Sequence, residues 1–225
     1  EIAQCLVGSE MCIRDRCKEQ GGMPFLTDCN TLYPGSRKNA LEHLTCAQLN
    51  GFWPMTTGCQ VLIADGLRGT DEVEVPVPNG EYCKTAKIGR AIMDADIFIS
   101  LSHFKGHEST GFGGAIKNIG MGCGSRAGKM EQHASGHPAV QEDLCRGCHR
   151  CAKECGSDAI RYNENNKAVI DYEKCKGCGR CIGACSFDAV YNPNSSANEL
   201  LDRKMAEYAQ AVCHGRPHFH IALVQ

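Results

Sequence analysis

Eight of the chain's 17 cysteines fall into two runs with the same spacing, and this repeat constrains the fold more than any other feature. Both runs read C-x-x-C-x-x-C-x-x-x-C, and each cysteine of the second lies 30 residues after its counterpart in the first. The match extends beyond cysteine, because Asp158-Ala159-Ile160 is repeated as Asp188-Ala189-Val190. Residues 140–192, the cysteine-rich segment, hold few apolar groups with which to build a core. We therefore expect these cysteines to bind metal.

Three thiolates spaced in this way can wrap one face of an iron–sulfur cube, and the fourth ligand must then come from elsewhere. In bacterial two-cluster ferredoxins the fourth cysteine of each run ligates the other cluster. The spacing therefore predicts two [4Fe–4S] clusters, each held by one quartet of cysteines. The first quartet is Cys145, Cys148, Cys151 and Cys185, and the second quartet is Cys175, Cys178, Cys181 and Cys155.

Three other interpretations of the runs stay open. Zinc also binds C-x-x-C pairs, although zinc sites use pairs separated by a longer loop and leave the third cysteine of each run unused. Cys145-x-x-Cys148-His149 spells a haem attachment motif, but the iron–sulfur repeat already requires both cysteines. Finally, clusters can serve only to hold the segment together. Gly156 and Ser186 stand where bacterial ferredoxins carry proline, which predicts looser turns without loss of a ligand.

The overall composition excludes several classes of partner. A net charge of -2 without a basic tract gives no electrostatic footprint for nucleic acid or a membrane surface. No apolar run approaches the roughly 18 residues needed to span a bilayer. An odd cysteine count, with eight in metal-ligand spacing, indicates a reducing compartment, so we expect a cytoplasmic protein. Most of the other nine cysteines are expected to be small buried hydrophobes.

Outside the cysteine-rich segment, strand and helix patterns alternate in the order typical of a layered α/β structure. Strands are predicted over 24–27, 61–64, 72–77, 97–101 and 221–225, and helices over 40–49, 87–95 and 199–212. The second and last of these strands are apolar runs typical of buried strands. The predicted fold is an α/β body with an inserted bacterial-type two-[4Fe–4S] ferredoxin-like domain. The body covers residues 17–139, the insert residues 140–192, and the chain returns to the body over residues 193–225.

The two ends of the chain look atypical. Residues 7–16 resemble a translated sequencing adapter, and their apolar spacing fits an amphipathic helix poorly. We therefore set residues 1–16 apart from functional argument. Because the last residues form an apolar run with no turn after it, the sequence reads as a fragment at both ends.

A second informative segment, residues 103–118, is predicted to be a glycine-rich loop that carries charged side chains and follows a buried strand. Open α/β sheets bind ligands at this end of their strands. Gly111, Gly113 and Gly114 allow backbone N–H groups to approach a ligand, and a helix expected from Ala115 adds its positive end. A loop of solvated charges is the alternative. The candidate catalytic residues are His103, Lys105, His107, Glu108 and Lys117.

Several phrases of the sequence together carry a family resemblance. They are Phe25-Leu26-Thr27-Asp28, residues 87–96, residues 103–108 and residues 117–122, followed by the double cysteine run. In these phrases the chain resembles the uncharacterised iron–sulfur centre proteins that carry the domain of unknown function numbered 362. The resemblance covers residues 23–225 and implies an α/β body with an inserted two-cluster ferredoxin unit, in proteins that continue past this C-terminus. It implies no particular reaction.

Two functions compete on these observations. In the first, the protein is an oxidoreductase whose clusters exchange electrons between a donor or acceptor protein and a small anionic substrate or cofactor at residues 103–118. In the second, it is a ferredoxin-like electron carrier or scaffold without its own substrate. The organised α/β body favours the first, because a bare carrier needs little more than the cysteine-rich segment.

Overall fold

Helices and short strands alternate along the chain, in agreement with the predicted α/β class. The computed structural model describes residues 2–32, 35–107, 111–134, 137–175, 177–193 and 198–224. Before the cysteine-rich segment the elements are α1 (Ile2–Glu19), β1 (Phe25–Asp28), α2 (Ala40–Leu49), α3 (Pro54–Thr57), β2 (Gln60–Ile63), β3 (Glu72–Pro76), β4 (Thr85–Gly89), α4 (Arg90–Met93), β5 (Phe98–His107), β6 (Gly111–Gly113), α5 (Ala115–Gly122), α6 (Arg126–Ala134) and β7 (Ala139–Val140). They are followed by α7 (Arg150–Lys153), β8 (Ile160–Tyr162), β9 (Ala168–Ile170), α8 (Arg180–Ala184), β10 (Val190–Tyr191), α9 (Asn198–Cys213) and β11 (His218–Val224).

The strands of the described residues form several small sheets. In the body, β1 pairs in parallel with β2, β3 pairs antiparallel with β4, and β5 lies between parallel β11 and antiparallel β6. In the cysteine-rich segment, β8 pairs with β9, and β10 pairs with β7. The predicted strands over 24–27, 72–77 and 97–101 and the helices over 40–49 and 199–212 are confirmed.

The predicted helix over 87–95 is wrong for its first half. Residues 85–89 form strand β4, and only Arg90–Met93 are helical. Ala86 and Ile88 are fully buried at a spacing of two, and Ile88 pairs with Val73 of the alternating strand β3. The pairing explains the error, since Ile88 also has a helical spacing to Ala91 and Ile92, and only the partner strand decides between strand and helix.

The strands predicted as buried are present, but they are more exposed than expected. Leu62 of β2 is 44% exposed, and Val224 of β11 is 72% exposed. Both strands pair on one side only among the described residues, because β2 has only β1 as its neighbour and β11 has only β5. An apolar run therefore indicated a strand correctly without indicating how deeply it is buried.

The chain after the cysteine-rich segment packs against its first part. Helix α9 lies along α5, and β11 pairs with β5. Tyr208 and Val212 of α9 are fully buried in a core that also contains Ile88 and Ile119. The hydroxyl of Tyr208 donates a hydrogen bond to Glu131 Oε2 at 3.0 Å. The body core is therefore built from both sides of the insert.

A second core lies inside the cysteine-rich segment and is completed by the body. It contains Ile182 and Val190 of the segment together with four of the eight run cysteines. Leu32 and Met130, both from the body, are buried in the same core. The segment alone has too few apolar side chains, so these two residues attach it to the body as well as filling its interior.

The close approach of α5 and α9 depends on Gly120. A Cβ added at Gly120 would collide with the backbone carbonyl of Met205, whereas one added at Gly122 would meet only Asp28 Oδ1 at 3.7 Å. We expect Gly120→Ala to lower the free energy of unfolding by about 1–3 kcal/mol, the usual cost of overpacking. Gly122→Ala, the matched control in the same helix, should be neutral or stabilising by up to about 1 kcal/mol. Thermal unfolding followed by circular dichroism measures both; equal midpoints for the two variants would contradict the packing.

Candidate metal centres

The 30-residue sequence repeat is also a repeat of backbone conformation. Three positions of the first half that have positive φ each have a positive-φ counterpart 30 residues later. The pairs are Gly147 (61°) and Gly177 (66°), His149 (60°) and Gly179 (66°), and Asp158 (49°) and Asp188 (52°). In both halves the left-handed residue at the second position begins a short helix, α7 or α8. The same turn therefore precedes the third cysteine of each run.

The first quartet surrounds one pocket. Cys145, Cys148, Cys151 and Cys185 all line it. Cys185 comes from the second run, so the fold has brought it across to the three cysteines of the first. Tyr162, Phe187 and Val190 are among the other side chains that line this pocket. The pocket thus offers four sulfur ligands within a largely apolar wall.

The cysteines of the second quartet also lie close enough to interact electrostatically. Burial raises the pKa of the Cys175 thiol, and the charges of Cys178 and Cys155 raise it further. Burial, followed by the charges of Cys178 and Cys175, raises the pKa of Cys181 to about 12. These interactions make Cys155, the last cysteine of the first run, a neighbour of the second run. Several thiols that raise one another's pKa are stable together as thiolates only beside positive charge.

The spacing within the quartets is wider than a single ion requires. Among the described residues, which include all eight run cysteines, no three of these sulfur atoms lie within 4.8 Å of one another. A tetrahedral zinc ion with Zn–S bonds of about 2.3 Å brings its sulfur ligands about 3.8 Å apart. In the described residues the run cysteines are thus not gathered at the spacing of one tetrahedral zinc ion.

Backbone and side-chain donors point at several of the sulfur atoms. The backbone N–H of Ala168 donates to Cys145 Sγ at 3.4 Å, and that of Ala159 donates to Cys155 Sγ at 3.3 Å. Burial opposes ionisation of Cys155, but hydrogen bonds from Ser157 and Ala159 outweigh it and lower the pKa of this thiol. Donors of this kind stabilise thiolate ligands and tune the groups that they hold.

Two cationic side chains of the body reach into the cysteine-rich segment, and the sequence pattern gave no sign of either. Lys38 Nζ donates to the carbonyl of Cys185 at 3.0 Å and pairs with Asp188 Oδ1 at 2.5 Å. Arg126 is almost fully buried and its Nη1 lies 3.5 Å from the carbonyl of Gly179. Burial lowers the pKa of Arg126, while the charge of Asp65 and then those of the second quartet raise it. A positively charged side chain of the body therefore lies near each quartet.

The predicted glycine-rich loop is a β-hairpin over much of its length. Strand β5 continues to His107 and pairs with β6, with Lys105 opposite Gly113. The predicted start of a helix at Ala115 is confirmed. His103 is half-buried and Lys105 is exposed, whereas Glu108 lies outside the described residues. The loop prediction was wrong because the charged residues belong to a strand, β5, which pairs with β6 and, in its first part, with β11. Pairing with distant strands cannot be seen in the local sequence.

Lys105 and Lys117 are brought close enough to repel each other. Burial lowers the pKa of Lys117, the charge of Lys105 lowers it further, and Asp202 acts in the opposite direction. Two neighbouring ammonium groups make the electrostatic potential around them positive.

The repulsion between these two lysines predicts opposite effects of two substitutions. Lys105→Met should raise the pKa of Lys117 because it removes a neighbouring positive charge. Asp202→Asn should lower that pKa because it removes the opposing carboxylate. Carbon-13 NMR titration of reductively methylated lysines measures both, and a Lys117 pKa that is unchanged in both variants would contradict the arrangement.

The other nine cysteines follow the prediction only in part. Cys29, Cys59, Cys83 and Cys123 are buried as small hydrophobes. Cys12 is exposed, Cys17, Cys46 and Cys213 are half-buried, and the side chain of Cys5 lies outside the described residues. One of these half-buried thiols, Cys213, lies close to two histidines. Together with the two quartets, this grouping suggests that the protein binds metal.

Comparison with known proteins gives a family but no function. No helix in the described part of the chain is both long and apolar enough to cross a membrane. No curated protein and no solved structure gives a match. A family model described as Domain of unknown function (DUF362) matches residues 11–224, which includes the last six residues of the adapter-like stretch. The chain therefore belongs to the DUF362 family.

Proposed function

We propose that this protein binds two [4Fe–4S] clusters, one in each quartet, and uses them to transfer electrons. The observation that supports this most is that Cys185 lines the same pocket as Cys145, Cys148 and Cys151. Sequence order alone would group Cys185 with its own run. The exchange of the fourth ligand between runs is characteristic of two-cluster ferredoxins.

The donor set and its surroundings fit such clusters. Each quartet offers four thiols at a spacing wider than one ion needs, and two of the sulfur atoms already accept backbone N–H groups. When bound, each cluster supplies a one-electron donor and acceptor. The residues of the chain would hold it: Phe187 and Val190 line the first pocket, and the N–H donors of Ala159 and Ala168 would stabilise the thiolates of Cys155 and Cys145.

We further propose that the β5–β6 hairpin holds the substrate or cofactor that exchanges electrons with the clusters. Lys105 and Lys117 are close to each other despite their repulsion, so an anion bound between them would relieve it. Strand β5 also carries His103 and His107, and an imidazole can move a proton as an electron arrives. On this proposal the protein is an oxidoreductase that acts on a small anionic molecule.

A second candidate function is that of an electron carrier or scaffold without its own substrate. Cys148 of the first quartet is exposed. A cluster ligated by an exposed thiol lies near the surface, where a donor or acceptor protein can approach it. The carrier function needs only this surface, whereas the oxidoreductase function also needs the hairpin.

Pairs of substitutions test the exchange of ligands between runs. After anaerobic reconstitution the parent chain should hold about eight iron and eight sulfide ions. The double variant Cys148→Ser/Cys185→Ser changes one proposed quartet twice and should retain about four iron ions. Cys178→Ser/Cys185→Ser changes both quartets and should retain almost none. Iron and sulfide analysis with electron paramagnetic resonance of the reduced protein measures the outcome.

Cys46→Ser is the control, because Cys46 is a half-buried cysteine outside both runs and should leave the iron content unchanged. The reverse ranking of the two double variants would show that each run binds its own cluster. Stoichiometric zinc in place of iron in the parent chain would exclude the clusters altogether.

The hairpin proposal predicts a selective loss of function. A thermal-shift screen of small anions comes first, since a ligand at about 100 times its Kd stabilises the protein by about 2.7 kcal/mol. Lys117→Met should keep full iron content but lose ligand-dependent reoxidation of the reduced clusters in stopped-flow absorbance. Lys84→Met, an exposed lysine outside the hairpin, should behave as the parent does. Unchanged binding and reoxidation in Lys117→Met would favour the carrier function.

A further inference from the structure

Cys213, His218 and His220 form a cluster of metal-ligand atoms outside both quartets. One ligand atom from each lies within 4.8 Å of the other two, the only such trio among the described residues. Cys213 Sγ is 3.8 Å from His220 Nε2, and His218 Nδ1 is 2.9 Å from the same nitrogen. The cluster is half-exposed, so an ion can reach it from solvent.

The turn between the last helix and the last strand creates this cluster. Helix α9 ends at Cys213, and Gly215, with φ of 76°, reverses the chain into β11. His218 and His220 are two residues apart on β11, so they lie on the same face of the strand. The sequence C-x4-H-x-H thus brings one thiol and two imidazoles together by local geometry alone.

A neighbouring strand orients the central histidine. Ser100 of β5 is the register partner of His220, and its Oγ lies 2.8 Å from His220 Nδ1. With Nδ1 engaged by the hydroxyl, Nε2 is the nitrogen that faces Cys213 and His218. Hydrogen bonding at the second ring nitrogen is the usual way in which a protein orients a metal-binding imidazole.

The distances are close to those around a tetrahedral zinc ion. Bond lengths of about 2.0–2.1 Å to nitrogen and 2.3 Å to sulfur imply edges of about 3.4 Å between nitrogens and about 3.6 Å between nitrogen and sulfur. The observed nitrogen–nitrogen separation of 2.9 Å is about 0.5 Å shorter than this, and the nitrogen–sulfur separation of 3.8 Å is about 0.2 Å longer. Small rotations of exposed side chains are sufficient to reach them.

We propose that Cys213, His218 and His220 bind one Zn²⁺ ion and leave its fourth position open. Three protein ligands with one open position are typical of zinc that binds water or a small ligand. Cys213 and His218 also line an open cavity of about 570 Å³. Arg216 lines the same cavity, and its positive charge favours an anion as the exogenous ligand. This proposal is independent of the clusters.

Zinc binding is tested on the full chain already loaded with iron and sulfide, so that the quartets are occupied. After incubation with Zn²⁺ and desalting, mass spectrometric metal analysis should find about one zinc per chain. Cys213→Ser and His220→Ala should each lose that zinc at least tenfold while keeping the iron content of the parent. His214→Ala is the matched control, because His214 lines the cavity but does not belong to the trio.

Zinc K-edge absorption gives a second measurement that iron does not obscure, and the proposal predicts one sulfur and two nitrogen ligands. Equal zinc retention by the parent, Cys213→Ser and His220→Ala would overturn the proposal, as would absence of zinc from fully iron-loaded parent protein. Because iron is counted in the same samples, failure of the cluster proposal is seen separately as missing iron.

Discussion

The approach of each cysteine run to the last cysteine of the other is the contact on which the cysteine-rich segment depends. Its described strands are two or three residues long, and its helices have one turn or slightly more. Such elements have little stability by themselves. Cys145, Cys151, Cys181 and Cys185 nevertheless form part of its buried core. On our proposal the sulfur–iron bonds replace the apolar area that a segment of this size lacks.

Residues of the body contact the segment close to these same cysteines. Leu32 and Met130 complete its core, and Lys38 bonds to the carbonyl of Cys185 itself. Arg126 is buried beside the carbonyl of Gly179, at the turn that precedes Cys181. Buried cations are costly unless they are paired. Lys38 is paired with Asp188, and the charged form of Arg126 is favoured by Asp65 and then by Cys181 and Cys178 of the second quartet.

How much of this could be predicted from the sequence depended on whether the signal was local. Spacing within one segment was enough to predict the 30-residue repeat, helix α9 and the alternating strand β3. Strand β4 was mistaken for helix because its identity depends on pairing with β3, and the hairpin was mistaken for a loop for a similar reason. Arg126 could not be found, since its role comes from contacts with residues more than 50 positions away. The trio of Cys213, His218 and His220 is local and was missed because its spacing is shared with ordinary surface residues.

Native mass spectrometry of the unsubstituted chain, reconstituted without oxygen in zinc-free buffer, tests the central claim most directly. The cluster proposal predicts a main species heavier than the polypeptide by two units of four irons and four sulfides, reached through a species with one unit. Loading that stops at one cluster, or a chain that carries only single metal ions, would contradict it.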